Sequence, residues 1–209
     1  MIEHARRQAE RLVWGFYALS EREGERIHYE VKTLRDLLPE EVTDEALAHL
    51  VCYDFVRRVG SHVLQRYELY RICLQDHRLL EAARALPRPL GLRALLLYVL
   101  THELVHVVRF AQKLQRIDLP PDERAAEEAA VERTTWKVLA RVRAHPMEQL
   151  RDFLSSRAGS VVGADACLAY PSVPPLRDRT ISEARLPVSA HACDLLSEAF
   201  DPRSASGER

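Results

Sequence analysis

No charge of one sign dominates this chain. Lys and Arg number 30 against 31 Asp and Glu, a formal net charge of −1. That balance leaves no global basic field to draw nucleic acid or an anionic membrane surface. Cysteine is sparse. Cys52, Cys73, Cys167 and Cys193 are scattered and form no C-x-x-C pair. They read as reduced thiols, not as a disulfide framework or a thiolate metal site. Long apolar runs are also missing. The most apolar stretch, Ala94 to Thr101, is too short to span a bilayer and runs straight into His102 and Glu103. The start, Met1 to Arg7, lacks the apolar core of a signal peptide. The expected location is cytoplasmic. There are no internal repeats.

Enough apolar sequence remains for a core, at 47% of 209 residues. The length suggests one domain with a small appendage. The pattern predicts a mainly α protein, or α+β with a small or marginal sheet. Leu12, Val13, Phe16 and Leu19 suggest a helix over 2–22, interrupted at Gly24. Ile27, Val31, Leu34, Leu37 and Leu38 suggest another over 27–38, ending before Pro39. Thr43 and Asp44 can cap a third, from Glu45 to about Arg57. Gly60-Ser61 marks a turn. Residues 63–75 mix alternating and apolar positions and read as strand or helix. Asp76 can cap a helix over 77–86, which Pro87 and Pro89 end. Residues 90–117 form the clearest helix. Pro120-Pro121-Asp122 breaks it, and a long helix follows to about Ala144, acidic in its first turns. A short helix is expected over 146–155. Beyond about Ser156, proline and serine rise and periodicity fades. This divides the chain into a globular domain over 1–155 and a weakly ordered extension over 156–209, with a short helix at 189–199.

The informative stretch is His102-Glu103-Leu104-Val105-His106. Helical positions four apart lie about 40° apart round the axis and one turn along it. His102 and His106 can therefore aim two imidazoles at one zinc ion. Glu103 lies roughly 100° round from His102. From there its carboxylate can take a proton from water acidified by the metal, and later return it to a leaving amine. The surrounding helix is apolar on nearly every side, as a buried helix is. Two histidines and a glutamate are costly to bury there unless something partners them.

A catalytic zinc takes a third protein ligand and keeps one position open. The longer motif with a nearby third His is absent, so that ligand comes from another element. On the next helix, Glu128 falls in the middle of an apolar side made by Val131, Thr135, Trp136, Val138, Leu139 and Val142. Glu128 is the first choice as ligand, with Glu127 and Glu132 as alternatives. With Glu128 ligating, Glu132 could hydrogen-bond a metal-bound histidine. Charging the positive end of the helix explains Glu123 and Glu127 well, and Glu132 poorly.

This HELVH segment with a downstream helical glutamate resembles the active site of the zincin metallopeptidases, in the glutamate-ligand branch that includes thermolysin. The resemblance spans only about residues 95–135. It implies a zincin-like helical core, His102, His106 and a later Glu as zinc ligands, Glu103 as general base, and peptide hydrolysis acting on a peptide or protein substrate. The usual aspartate one turn past the ligand glutamate is here Glu132.

Several nearby residues carry weaker expectations. Arg109, one turn beyond His106, would stabilise an oxyanion or pair with Glu127 or Glu128. Tyr98, one turn before His102, is a core residue or a hydrogen-bond donor near the metal. Tyr67 to Leu74 is the candidate strand for binding extended substrate. His77 beside Asp76, and His191 with Cys193, read as surface or capping groups before metal ligands. Two other functions compete: a non-catalytic zinc-binding regulator or scaffold, and a helical di-iron carboxylate protein. The second would use Glu103-x-x-His106, and that architecture wants a second Glu-x-x-His on another helix facing it.

Overall fold

The structure, a computed structural model, describes residues 1–59, 62–116, 119–142, 145–158 and 183–186. It is mainly helical with one sheet, as expected. In chain order the elements are α1 (Ile2–Phe16), α2 (Glu21–Glu25), β1 (Tyr29–Lys32), β2 (Ala48–Val59), β3 (His62–Leu74), α3 (Asp76–Ala85), α4 (Leu92–Ala111), α5 (Pro121–Leu139), α6 (His145–Ala158) and β4 (Glu183–Leu186). Two 3-10 turns, Leu34–Asp36 and Pro39–Glu41, join β1 to β2.

The first predicted helix is two. Ala18 adopts a left-handed φ of 52° and ends α1, with Leu19 N–H bonded back to Trp14 C=O. Ser20 then caps α2 through a capping box with Glu23. Gly24 does not break a helix. It lies inside α2, where a β-carbon would come within 2.5 Å of the Trp14 ring.

The predicted helices over 27–38 and 45–57 are replaced by strands. Residues 29–32 pair in parallel with 70–73, and 48–59 pair antiparallel with β3. Thr43 does accept a backbone hydrogen bond from Glu45, but this closes a turn only. The ambiguous segment 63–75 is strand. Sheet order is β1-β3-β2-β4. Of the extension beyond 155, the structure describes the end of α6 and the four residues of β4, which pair with β2. The helix expected at 189–199, and His191 and Cys193, lie outside the described residues.

The sheet alternates by face. Leu50, Cys52, Tyr70, Ile72 and Leu74 point into the core and are almost completely buried. Tyr70 stacks on Phe110 of α4. Helix α4 is the centre of the molecule, with α1, α3, α5, α6 and β2 around it. Every residue from Leu95 to Val108 is buried. By length and composition α4 is apolar enough to cross a membrane, a property shared by core helices that pack inside a protein as this one does. It is shorter than the predicted 90–117, because Lys113 turns the chain with a φ of 56°.

Among the described residues, one buried charge, Glu41 of the second 3-10 turn, packs against Tyr53 and Arg71 of the sheet. Glu41 is 3% exposed. It accepts hydrogen bonds from Leu38 N–H, Arg71 Nη1 and the Tyr53 hydroxyl. Burial alone would raise its pKa, but these donors outweigh it and hold the carboxyl below the usual range. A depressed folded pKa stabilises the fold above the unfolded pKa and is lost as pH falls through the folded value. Glu41→Ala is therefore expected to cost about 3–5 kcal/mol at pH 7. In urea denaturation, the gap between wild type and this variant should shrink steadily as the pH is lowered below about 4.5.

Candidate metal centre

Helix α5 packs along α4 and sets its glutamates over the two histidines. Glu128 Oε1 lies 2.9 Å from His102 Nε2, and its Oε2 lies 3.2 Å from His106 Nε2. The two Nε2 atoms are 3.1 Å apart. One ligand atom from each of these three residues falls within 4.8 Å of the others. His102, His106 and Glu128 thus form a group that could hold a metal ion. It is the one such group among the described residues.

Buried polar atoms short of well-aligned hydrogen bonds gather at the same place, although His102 Nδ1 and Glu128 Oε1 each face an oppositely charged group. His102 Nδ1, Glu128 Oε1 and both oxygens of Glu103 are buried with no well-aligned hydrogen bond. Along α4 the residues flanking Glu103 include Val99, Leu100, Leu104 and Val107, all apolar and fully buried. Such polar atoms are costly in an apolar interior unless something compensates them. A cation compensates a carboxylate and two imidazole lone pairs together, so the donor set fits a metal.

Electrostatics give each group a distinct state in the metal-free protein. Burial disfavours a charge on His102, but Glu128 beside it and Glu132 behind it outweigh that and push its pKa up to about 10. Burial would raise Glu128, yet His106 and His102 hold it well below the carboxylate range. Glu103 behaves differently. Burial pushes it up to about 7, against the pull of both histidines.

The outer groups fall into place around this triad. Glu132 is not among the three ligands. Its Oε2 lies 3.3 Å from His102 Nδ1 and accepts the Tyr98 hydroxyl at 2.8 Å. Trp136 Nε1 donates to its other oxygen at 2.5 Å. Tyr98 is both buried core and a donor near the site, stacked on Trp136. Glu127 is not in the group either. It accepts from Arg109 Nε at 2.7 Å and also from Nη2. Arg109 therefore makes an ion pair with Glu127, one of the two acids named for it. His77 pairs with Asp44 at 2.7 Å and is not in the converging group.

Two contacts went unforeseen in the sequence. Gln115 Oε1 lies 3.2 Å from His106 Nδ1, and Trp136 braces Glu132. The spacing of Glu132 and Trp136, one turn apart on one face, could have signalled the second. Nothing in the local pattern signals the first.

No protein-family model matches the chain, and no curated protein or solved structure is significantly similar to it.

Proposed function

We propose that the chain is a zinc-dependent peptidase in which His102, His106 and Glu128 hold the metal and Glu103 is the general base. The carrying observation is a division of labour among three buried side chains, His102, Glu103 and His106, and the partly buried Glu128. Three of these four converge on one point, while the fourth, Glu103, stays outside the ligand set with both oxygens unpartnered. A purely structural zinc more often takes four protein ligands, and has no use for a spare carboxylate beside it.

Two imidazoles and one carboxylate suit zinc among the divalent metals. A zinc ion held there supplies Lewis acidity, which acidifies water and polarises a carbonyl oxygen. The remaining steps belong to the chain. Glu103 removes a proton from the attacking water as the new carbon–oxygen bond forms. The same carboxyl delivers that proton to the amide nitrogen as the carbon–nitrogen bond breaks. Glu128 offsets the charge of the site. Glu132, Tyr98 and Trp136 hold His102 in place. The apolar packing of α4 keeps bulk water away from Glu103.

A dinuclear iron centre draws less support. Glu103 would have to ligate alongside His106, and it is not in the converging group.

The test uses protein purified without a His-tag. Bound metal is counted by elemental mass spectrometry, and a peptide library is digested with wild type, Glu103→Ala and His106→Ala. The expected result is about one zinc per chain in wild type and in Glu103→Ala, with cleavage by wild type alone. Zinc bound with equal peptide turnover in Glu103→Ala would remove the general-base role. Two irons per chain, lost in Glu103→Ala, would replace the reading with the dinuclear one.

A further inference from the structure

We propose that Gln115, delivered by the C-terminal cap of α4, is a positioning residue that fixes how His106 presents itself to the metal. The inference rests on the metal-centre reading above.

Gln115 follows His106 by nine positions. Continued as helix, α4 would carry it about 13 Å further along the axis. The chain reverses instead. Lys113 takes a left-handed φ of 56°, and its N–H bonds to Phe110 C=O at 2.9 Å. Leu114 N–H bonds to Arg109 C=O at 2.8 Å, completing the double hydrogen bond of a Schellman cap. Gln115 N–H then reaches the same Arg109 carbonyl at 3.3 Å. Lys113 also pairs with Glu68 at 2.8 Å, tying the cap to β3. The side chain of Gln115 is thus folded back over the last turns of α4.

Its Oε1 meets His106 Nδ1 at 3.2 Å. An amide oxygen only accepts, so the imidazole must donate from Nδ1. A proton held on Nδ1 leaves the Nε2 lone pair for the metal, and Nε2 is the atom that faces Glu128 and His102. His102 has its own acceptor behind it in Glu132. The two ligands are therefore braced from different elements: His102 by the body of α5, and His106 by the cap of its own helix. Stacking of His106 on Phe110 fixes the ring plane but not the proton, and Gln115 supplies that second constraint.

The test measures zinc affinity by competition against a chromophoric chelator, for wild type, Gln115→Leu, Gln115→Glu and the control Gln112→Leu. Gln115→Leu should bind zinc about 10- to 100-fold more weakly. Gln115→Glu keeps an acceptor and should bind at least as tightly as wild type. Gln112→Leu, on the exposed side of the cap, should not differ. In the zinc-loaded protein, the His106 Nδ1 proton should be visible by NMR in wild type and Gln115→Glu and lost to exchange in Gln115→Leu. Gln115→Ala replaces the leucine variant should that one not fold. Affinity in Gln115→Leu within twofold of wild type overturns the inference. So does a Gln115→Glu variant as weak as Gln115→Leu, since that pattern marks a merely structural role. Failure of wild type itself to bind zinc overturns the metal centre, and this inference with it.

Discussion

Replacing Glu103 with leucine is expected to stabilise the metal-free protein by about 2–4 kcal/mol while abolishing hydrolysis. The stability gain follows from where the carboxylate sits. Glu103 is 0% exposed, and neither oxygen has a hydrogen-bond partner. Its neighbours along α4, Val99, Leu100, Leu104 and Val107, are fully buried and apolar. An ionised carboxylate there has lost water and gained only the pull of the two histidines, which does not offset the loss. A protonated one still leaves two polar atoms unsatisfied. Leucine has a similar volume and brings no polar atom, so the site stays filled without the penalty. Glu103→Gln separates the two effects, because it removes the charge and keeps the polar atoms. It should gain much less stability than leucine. Urea denaturation in the presence of a chelator reads all three proteins. A leucine variant no more stable than wild type would mean that ordered water already satisfies the carboxylate. Groups held at a local cost to stability are characteristic of functional sites, because the same exposure to chemistry that makes them useful prevents their being paired.

The legibility of this site in the sequence follows from its geometry. His102, Glu103 and His106 lie within one turn of one helix, so their relation is fixed by helical pitch alone. Glu128 was legible for a related reason. An acid in the middle of an apolar helical side declares an interior partner, and α4 carried two histidines to meet it. The sheet was less legible. Ala46, Leu47, Leu50 and Val51 sit at helical spacing behind Thr43, and nothing local distinguishes that from a capped helix. What decides for strand is the pairing of Leu50 with Ile72 and Cys52 with Tyr70, contacts some twenty residues away in the chain. Residues 27–38 failed in the same way, since β1 exists through its parallel pairing with residues 70–73. Gln115 was illegible because its role depends on a left-handed turn at Lys113, a position where the sequence has no glycine to announce it.

Zinc is expected to raise the unfolding free energy of wild type by about 4 kcal/mol when free zinc is 1,000 times the dissociation constant. The ligand variants should divide sharply. His102→Ala and His106→Ala should show no zinc-dependent shift, since two of three protein ligands do not hold the ion against water. Glu128→Ala should lose the shift as well, but with a further effect before any metal is added. In the metal-free protein Glu128 is the counterion of His102, whose imidazole is 0% exposed. Removing one member of a buried pair leaves the other uncompensated, a loss of about 3–5 kcal/mol. Glu132→Ala should keep the shift with affinity lowered about 10- to 100-fold, because it touches His102 from behind and not the metal. Thermal melts with and without zinc, under chelator-buffered conditions, would separate these classes. The decisive comparison is between Glu103 and Glu128, two acids around the same pair of histidines. Glu103→Leu should gain metal-free stability and keep the zinc shift, whereas Glu128→Ala should lose both. Opposite signs follow only if one carboxylate is a ligand with a resident counterion and the other is an unpaired base. Equal signs would mean that both acids ligate or that neither does.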